Sequence, residues 1–176
     1  FPGTVPGPGQ GTERSLMKTK KVALAVILAA ISVALSPIFI PVGIAKCFPA
    51  QHMVNILAAV MLGPLYAVII AAVAAILRNI LGLGTLLAFP GGMIGALLAG
   101  LAYKAFRNIY WAGAGEVVGT GLLGALASAW IVAPLFMGKS MAMATLIIAF
   151  SVSTLGGTVF GIMALHLLRK AGLWKP

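Results

Sequence analysis

A chain of 176 residues that is 61% hydrophobic and only 8% charged cannot cover a water-facing surface, because ordinary globular domains are about 25% charged; lipid must solvate most of it. Its formal charge of +10 is not a nucleic-acid signature, since the basic residues fall in gaps between apolar runs and form no stripe interleaved with aromatics on a polar surface. The single cysteine, Cys47, excludes an intrachain disulfide and any Cys-based metal site.

Residues 1–16, FPGTVPGPGQGTERSL, are rich in Pro and Gly and match nothing that follows. Met17 then opens MKTKK and runs straight into an apolar segment. Residues 1–16 are therefore expected to be a disordered leader ahead of the natural start, outside the fold. A cleaved signal peptide over 17–37 would need an A-x-A site and a polar mature chain, and neither follows. Residues 17–176 are expected to form a single membrane domain, because no polar stretch inside them is long enough to link two.

A helix needs about 20 apolar residues to cross about 30 Å of hydrocarbon. The first span is expected over 22–38, closed by Pro37 and Pro41, with Lys46-Cys47-Phe48-Pro49 as a loop. The second, over 50–62, is short and is stopped by Gly63-Pro64; Pro64 suits the first turn of a third span over 64–81. After a break at Gly82–Thr85 comes a fourth span from 89 to 104, then a polar, aromatic loop over 107–113. The fifth span is expected over 115–136 and the sixth over 141–168, ended by Arg169 and Lys170. The sixth could reach about 42 Å and should tilt or protrude.

The second span is short enough to be re-entrant, and charge arbitrates. With six crossings, Arg14, Lys18, Lys20, Lys21, Lys104, Arg107, Arg169, Lys170 and Lys175 lie inside and only Lys46, Arg78 and Lys139 outside, a split of nine against three. That is the positive-inside bias. If the second span failed to cross, the C-terminal cations would land outside. The expected fold is thus all-α and integral to the membrane: a six-transmembrane-helix bundle with both termini cytoplasmic. Small residues four apart should let backbones approach: Gly91/Gly95 and Gly92/Ala96/Gly100 in the fourth span, Gly115/Gly119 in the fifth, Ser153/Gly157/Gly161 in the sixth, and Ala25/Ala29 and Ala30/Ala34 in the first. No internal repeat stands out, so the inverted symmetry of many transporters has no support here.

Catalytic constellations are missing. Glu116 is the sole acid beyond the leader, which excludes paired-carboxylate chemistry. His52 and His166 fall near opposite membrane faces and cannot share a metal, and no GxxxxGK[ST] string provides a P-loop. No cofactor is expected. Glu116 is expected near the inner face, as an interface residue or the partner of a nearby cation.

The polar outliers gather on the outer side: Lys46, Gln51, His52, Asn55, Arg78, Asn79, Thr85 and Ser140. Gln51, His52 and Asn55 share one helical turn, and Phe48, Phe89, Met93 and Trp130 fall at similar depth. Aromatic walls with a few aimed polar groups make a small-molecule pocket. Each residue has a plainer role open to it. Lys46 and Arg78 could snorkel to headgroups, Phe89 and Trp130 could be belt residues, His52 could bond between helices, and Ser151, Ser153 and Thr154 could pack against backbone.

Residues 46–104, with the strings KCFP-x-QH-x-x-N, LRN-x-LG-x-GT and LAFPGG-M-IG, resemble the ThiW family, the substrate-binding membrane subunits (S components) of energy-coupling factor transporters; in layout the likeness runs from Met17 to the C-terminus. The resemblance implies a multi-pass protein of the cell membrane with a pocket open to the outside. It also implies uptake of the thiazole precursor of thiamine, hydroxyethylthiazole or its like. The partners implied are a transmembrane coupling subunit and two cytoplasmic ATPase subunits. By position, Lys46, Phe48, Gln51, His52 and Asn55 would help form the pocket, and Asn79, Thr85, Phe89 and Met93 would close it. Trp130 is a further candidate for stacking on the ring. An AxxxA pattern on the first helix would meet the coupling subunit, and both Ala25/Ala29 and Ala30/Ala34 match it.

Overall fold

A computed structural model of the chain describes residues 10–42, 45–138 and 140–175. The fold is all-α and about 81% helical. Helix α1 spans Gln10–Ala34. Helix α1 thus takes in residues 10–16, while residues 1–9 of the expected leader lie outside the described residues. A short antiparallel hairpin follows, β1 (Ile40–Val42) with β2 (Ala45–Cys47), which sets Pro41 opposite Lys46.

Pro49 opens α2 (Pro49–Met61), taking the first-turn position where its missing N–H costs nothing. Gly63, at φ 93°, reverses the chain, and Pro64 opens α3 (Pro64–Ile80). Helix α4 (Ala88–Phe106) ends where Arg107 enters the left-handed region at φ 52°. The side chain of Asn108 then accepts a hydrogen bond from the Tyr110 N–H and starts α5 at once. Helix α5 runs over Ile109–Met137 and winds as a π-helix over Val117–Gly124 and Ser128–Val132. Helix α6 spans Met143–Lys170.

The stretch over 107–113 is thus mostly helix rather than loop. One left-handed residue and one Asx cap make the whole turn, and both signals are local enough to be overridden by the aromatic, polar look of the segment.

Among the described residues three helices, α4, α5 and α6, are long and apolar enough to cross a bilayer, and α3 is a shorter apolar helix. Large apolar side chains point outward from all three: Leu97 and Leu101 on α4, Leu122 and Ile131 on α5, Leu155 and Val159 on α6. The interior is built from small residues instead, with Ala58, Ala59, Ala67, Ala96, Ala99 and Ala112 at 0% exposure. This inversion of soluble practice is what lipid-solvated helices adopt when close packing holds them together. Gly95 and Gly119 are such a contact, where a Cβ at Gly119 would meet Gly95 Cα at 2.7 Å.

Helix α2 lies at the centre, in contact with α1, α3, α4, α5 and α6. Ten of its thirteen residues are buried. A helix of that length reaches only about 20 Å, short of the apolar thickness. Enclosure by its neighbours removes the requirement that its own length match the lipid.

Candidate functional site

Because α2 is enclosed, its polar turn faces protein. Gln51, His52 and Asn55 are 6%, 5% and 1% exposed, and a buried polar group needs a partner. Each has one. His52 Nδ1–H donates to Glu116 Oε1 at 2.8 Å. Asn55 Nδ2 donates both to Gly92 O at 3.1 Å and to the same Glu116 oxygen at 3.0 Å. Thr120 Oγ1 lies 3.1 Å from that oxygen and 2.9 Å from Gly91 O. Glu116 itself is fully buried, and its Oε2 has no hydrogen-bond partner among the described residues. Gly95 makes its room, since a Cβ there would come within 2.8 Å of Oε2.

The expectation that Glu116 sits near the inner face, as an interface residue or beside a cation, is corrected here. Helix α5 starts at Ile109 rather than at 115, and six residues of extra helix carry position 116 roughly 9 Å further along the axis. That brings the carboxylate to His52.

Arg78 is the second buried ion, 1% exposed. It does not snorkel. Its Nη1 donates to Gln51 Oε1, its guanidinium lies 4.4 Å from the centre of the Phe48 ring, and Nε and Nη2 have no hydrogen-bond partner among the described residues. Phe48 is held in turn: its N–H donates to Ser153 Oγ at 2.8 Å, and Phe39 stands 6.1 Å from its ring.

These groups surround a cavity between α2, α4, α5 and α6 with an empty volume of about 400 Å³, counting its open mouth. It is lined by Phe48, Gln51, His52, Thr85, Ala88, Gly91, Gly92, Thr120, Ala149, Phe150 and Ser153. Four of the ten expected pocket residues, Phe48, Gln51, His52 and Thr85, line it, and Asn55 sits one layer behind. Asn79 bonds Ala75 O at 2.8 Å and Thr85 O at 3.4 Å, which fastens the turn between α3 and α4 to α3.

Phe89 is half-buried in the first turn of α4 and Met93 packs on the core around α2; neither lines the cavity. Trp130 is 64% exposed on the outside of α5, also away from it. Lys46 lies on β2, and its side chain falls outside the described set. On α1, Ala29 is buried and Ala25 half-buried against the chain's own core, while Ala30 and Ala34 face outward.

Arg78, Glu116, Thr120, Phe150 and the glycines of α4 complete the site beyond the ten. The two ions were legible as the rare charges inside apolar helices, which are by default functional. Thr120 and Phe150 carried no such signal.

The far end of the bundle is different in kind. Tyr110 Oη and His166 Nε2 are 3.3 Å apart, Phe106 stacks on Trp111 at 4.7 Å, and Arg107, Arg169 and Trp174 border a second, wider hollow.

Apolar outer faces, a small-residue interior and a cavity with aimed polar groups define a helical membrane protein that handles a small molecule. The chain belongs to the thiamine-precursor transporter family, ThiW, whose model matches residues 22–171. Comparisons with curated proteins and with solved structures gave no match. The family is one of transporters, so the class of activity is transport of a small molecule.

Proposed function

We propose that this chain is the substrate-binding subunit of an energy-coupling factor transporter, and that it captures hydroxyethylthiazole or a close thiazole from outside the cell. In this reading all six helices cross the plasma membrane and both termini are cytoplasmic. A transmembrane coupling subunit and two ATPase subunits supply the energy. The observation that carries it is the cavity: Phe48 and Phe150 for a flat ring, and Gln51, His52 and Thr120 for its polar atoms, within one small volume. The charge pattern supports the orientation, because Lys104, Arg107, Arg169 and Lys170 gather at the end away from the cavity. The chain has no P-loop of its own, so ATP-driven uptake needs partners.

Ligand-dependent thermal stabilisation of the purified protein tests the substrate. A shift with hydroxyethylthiazole and none with pyrimidines is expected; no shift at millimolar ligand across a panel of thiazoles and pyrimidines would remove the assignment. A self-sufficient carrier is the second reading, and one observation favours it: the buried pair His52–Glu116 joins a base to an acid beside the cavity. Uptake into liposomes containing this chain alone would decide for it.

A further inference from the structure

The cavity's polar wall has a direction that Gln51 alone cannot supply. A glutamine amide offers an acceptor at one end and two donors at the other, and which end faces a guest depends on what holds the amide. Arg78 holds this one. A guanidinium only donates, so its contact with Gln51 obliges the oxygen to face Arg78 and the NH2 group to face away. The NH2 group is seated over Gly92, where a Cβ would meet Nε2 at 2.5 Å, and Gln51 and Gly92 both line the cavity. Arg78 is in turn fixed by the Phe48 ring and by burial at 1% exposure.

We infer that Arg78, which does not line the cavity, is a positioning residue that makes Gln51 a hydrogen-bond donor, so that the site selects a neutral azole with a free ring-nitrogen lone pair over its quaternised, thiazolium form. The inference rests on the functional reading above and sharpens its substrate class. A ring nitrogen that carries an alkyl group has no lone pair to offer Gln51. The discrimination therefore comes from a buried donor left without an acceptor, because the Glu116 carboxylate behind His52 and Thr120 opposes the Arg78 charge in the field a cationic ring would meet.

Gln51→Glu is the discriminating variant, because it keeps the shape and reverses the polarity. A carboxylate at 51 offers acceptors to Arg78 N–H groups that have none, so the ligand-free protein should melt at a higher temperature than wild type. The same change removes the donor, so affinity for hydroxyethylthiazole should fall at least about 10-fold. Preference for it over its N-methylthiazolium derivative should shrink by a similar factor or reverse. Arg78→Lys, which still only donates, should keep the wild-type preference, whereas Arg78→Met, which frees the amide to turn over, should lose it. A merely structural role for Arg78 would move stability and affinity together.

Isothermal titration with the two thiazoles, alongside melting curves, reads all of this. Wild-type binding of the neutral azole with an unchanged preference in Gln51→Glu overturns the inference. Wild-type binding of neither thiazole overturns the functional reading first, and is recognised by failing in the unmutated protein.

Discussion

His52 on α2 and Glu116 on α5 meet at 2.8 Å in the middle of the bundle, and the pair joins the most enclosed helix to the one that winds with π-turns. Glu116 is the chain's sole acid beyond Glu13. Its position beside the cavity makes it a support for the binding turn, since it also receives the Asn55 amide.

Removing one partner strands the other. Glu116→Ala and His52→Ala should each cost about 3 kcal/mol or more, because a buried charge or donor is left without its complement. Glu116→Gln retains an acceptor oxygen and should cost about 1 kcal/mol. A double-mutant cycle by reversible denaturation should give a coupling of about 1–3 kcal/mol; additive losses would show that the contact does not hold α2 to α5.

Gly92→Ala separates folding from binding. The added Cβ falls 2.5 Å from Gln51 Nε2, the free end of a flexible side chain, so the helices can stay in place while the amide moves. Melting temperature should change little, and ligand affinity should fall about 10-fold or more. Equal losses in both would mean that the helices, not Gln51, give way.

On α1 the two alanine pairs should behave oppositely. Ala29 is buried in the core and Ala30 is exposed. Ala29→Trp should therefore unfold the protein or lower its yield, by overpacking. Ala30→Trp should leave ligand binding intact and abolish ATP-driven uptake in the assembled transporter. Normal uptake by Ala30→Trp would remove this face from the coupling interface.

Phe48→Ala should weaken thiazole binding about 10-fold, while Trp130→Ala should change it less than twofold. Phe48 lines the cavity and Trp130 stands outside on α5. A titration series on the two variants checks the contrast.

Cys47 is buried, its Sγ–H donates to Ala149 O at 3.3 Å, and burial pushes its thiol pKa up. The thiolate is therefore scarcer in the folded protein than in the unfolded chain. Maleimide labelling at pH 7.5 should be at least about 10-fold slower in mild detergent than in SDS. With the folded pKa raised, the thiol's contribution to stability is complete below the unfolded pKa and is lost as pH rises through the folded value. Equal labelling rates would place Cys47 at the surface.

Much of the architecture lies in local signals. Apolar runs and the Gly63-Pro64 break located α2 and α3 to within a residue or two, because a proline at N1 and a glycine with positive φ act on their own neighbours. The fifth helix escaped, because Arg107 in the left-handed region and the Asn108 cap make a turn too compact for composition to reveal.

For the site, the sequence by itself determined that Gln51, His52 and Asn55 share one turn of helix, since i, i+3 and i, i+4 spacing is a property of the chain. It also marks Arg78 and Glu116 as rare charges in apolar runs, while leaving Arg78 free to snorkel and putting Glu116 near the inner face. Which charge stands behind which polar group was decided only in three dimensions. His52 and Glu116 are 64 positions apart and Gln51 and Arg78 are 27 apart, and no periodicity relates residues on different helices. Helix packing brings a donor-only cation to Gln51 and a carboxylate to His52, and so gives the cavity the polarity that neither residue specifies alone.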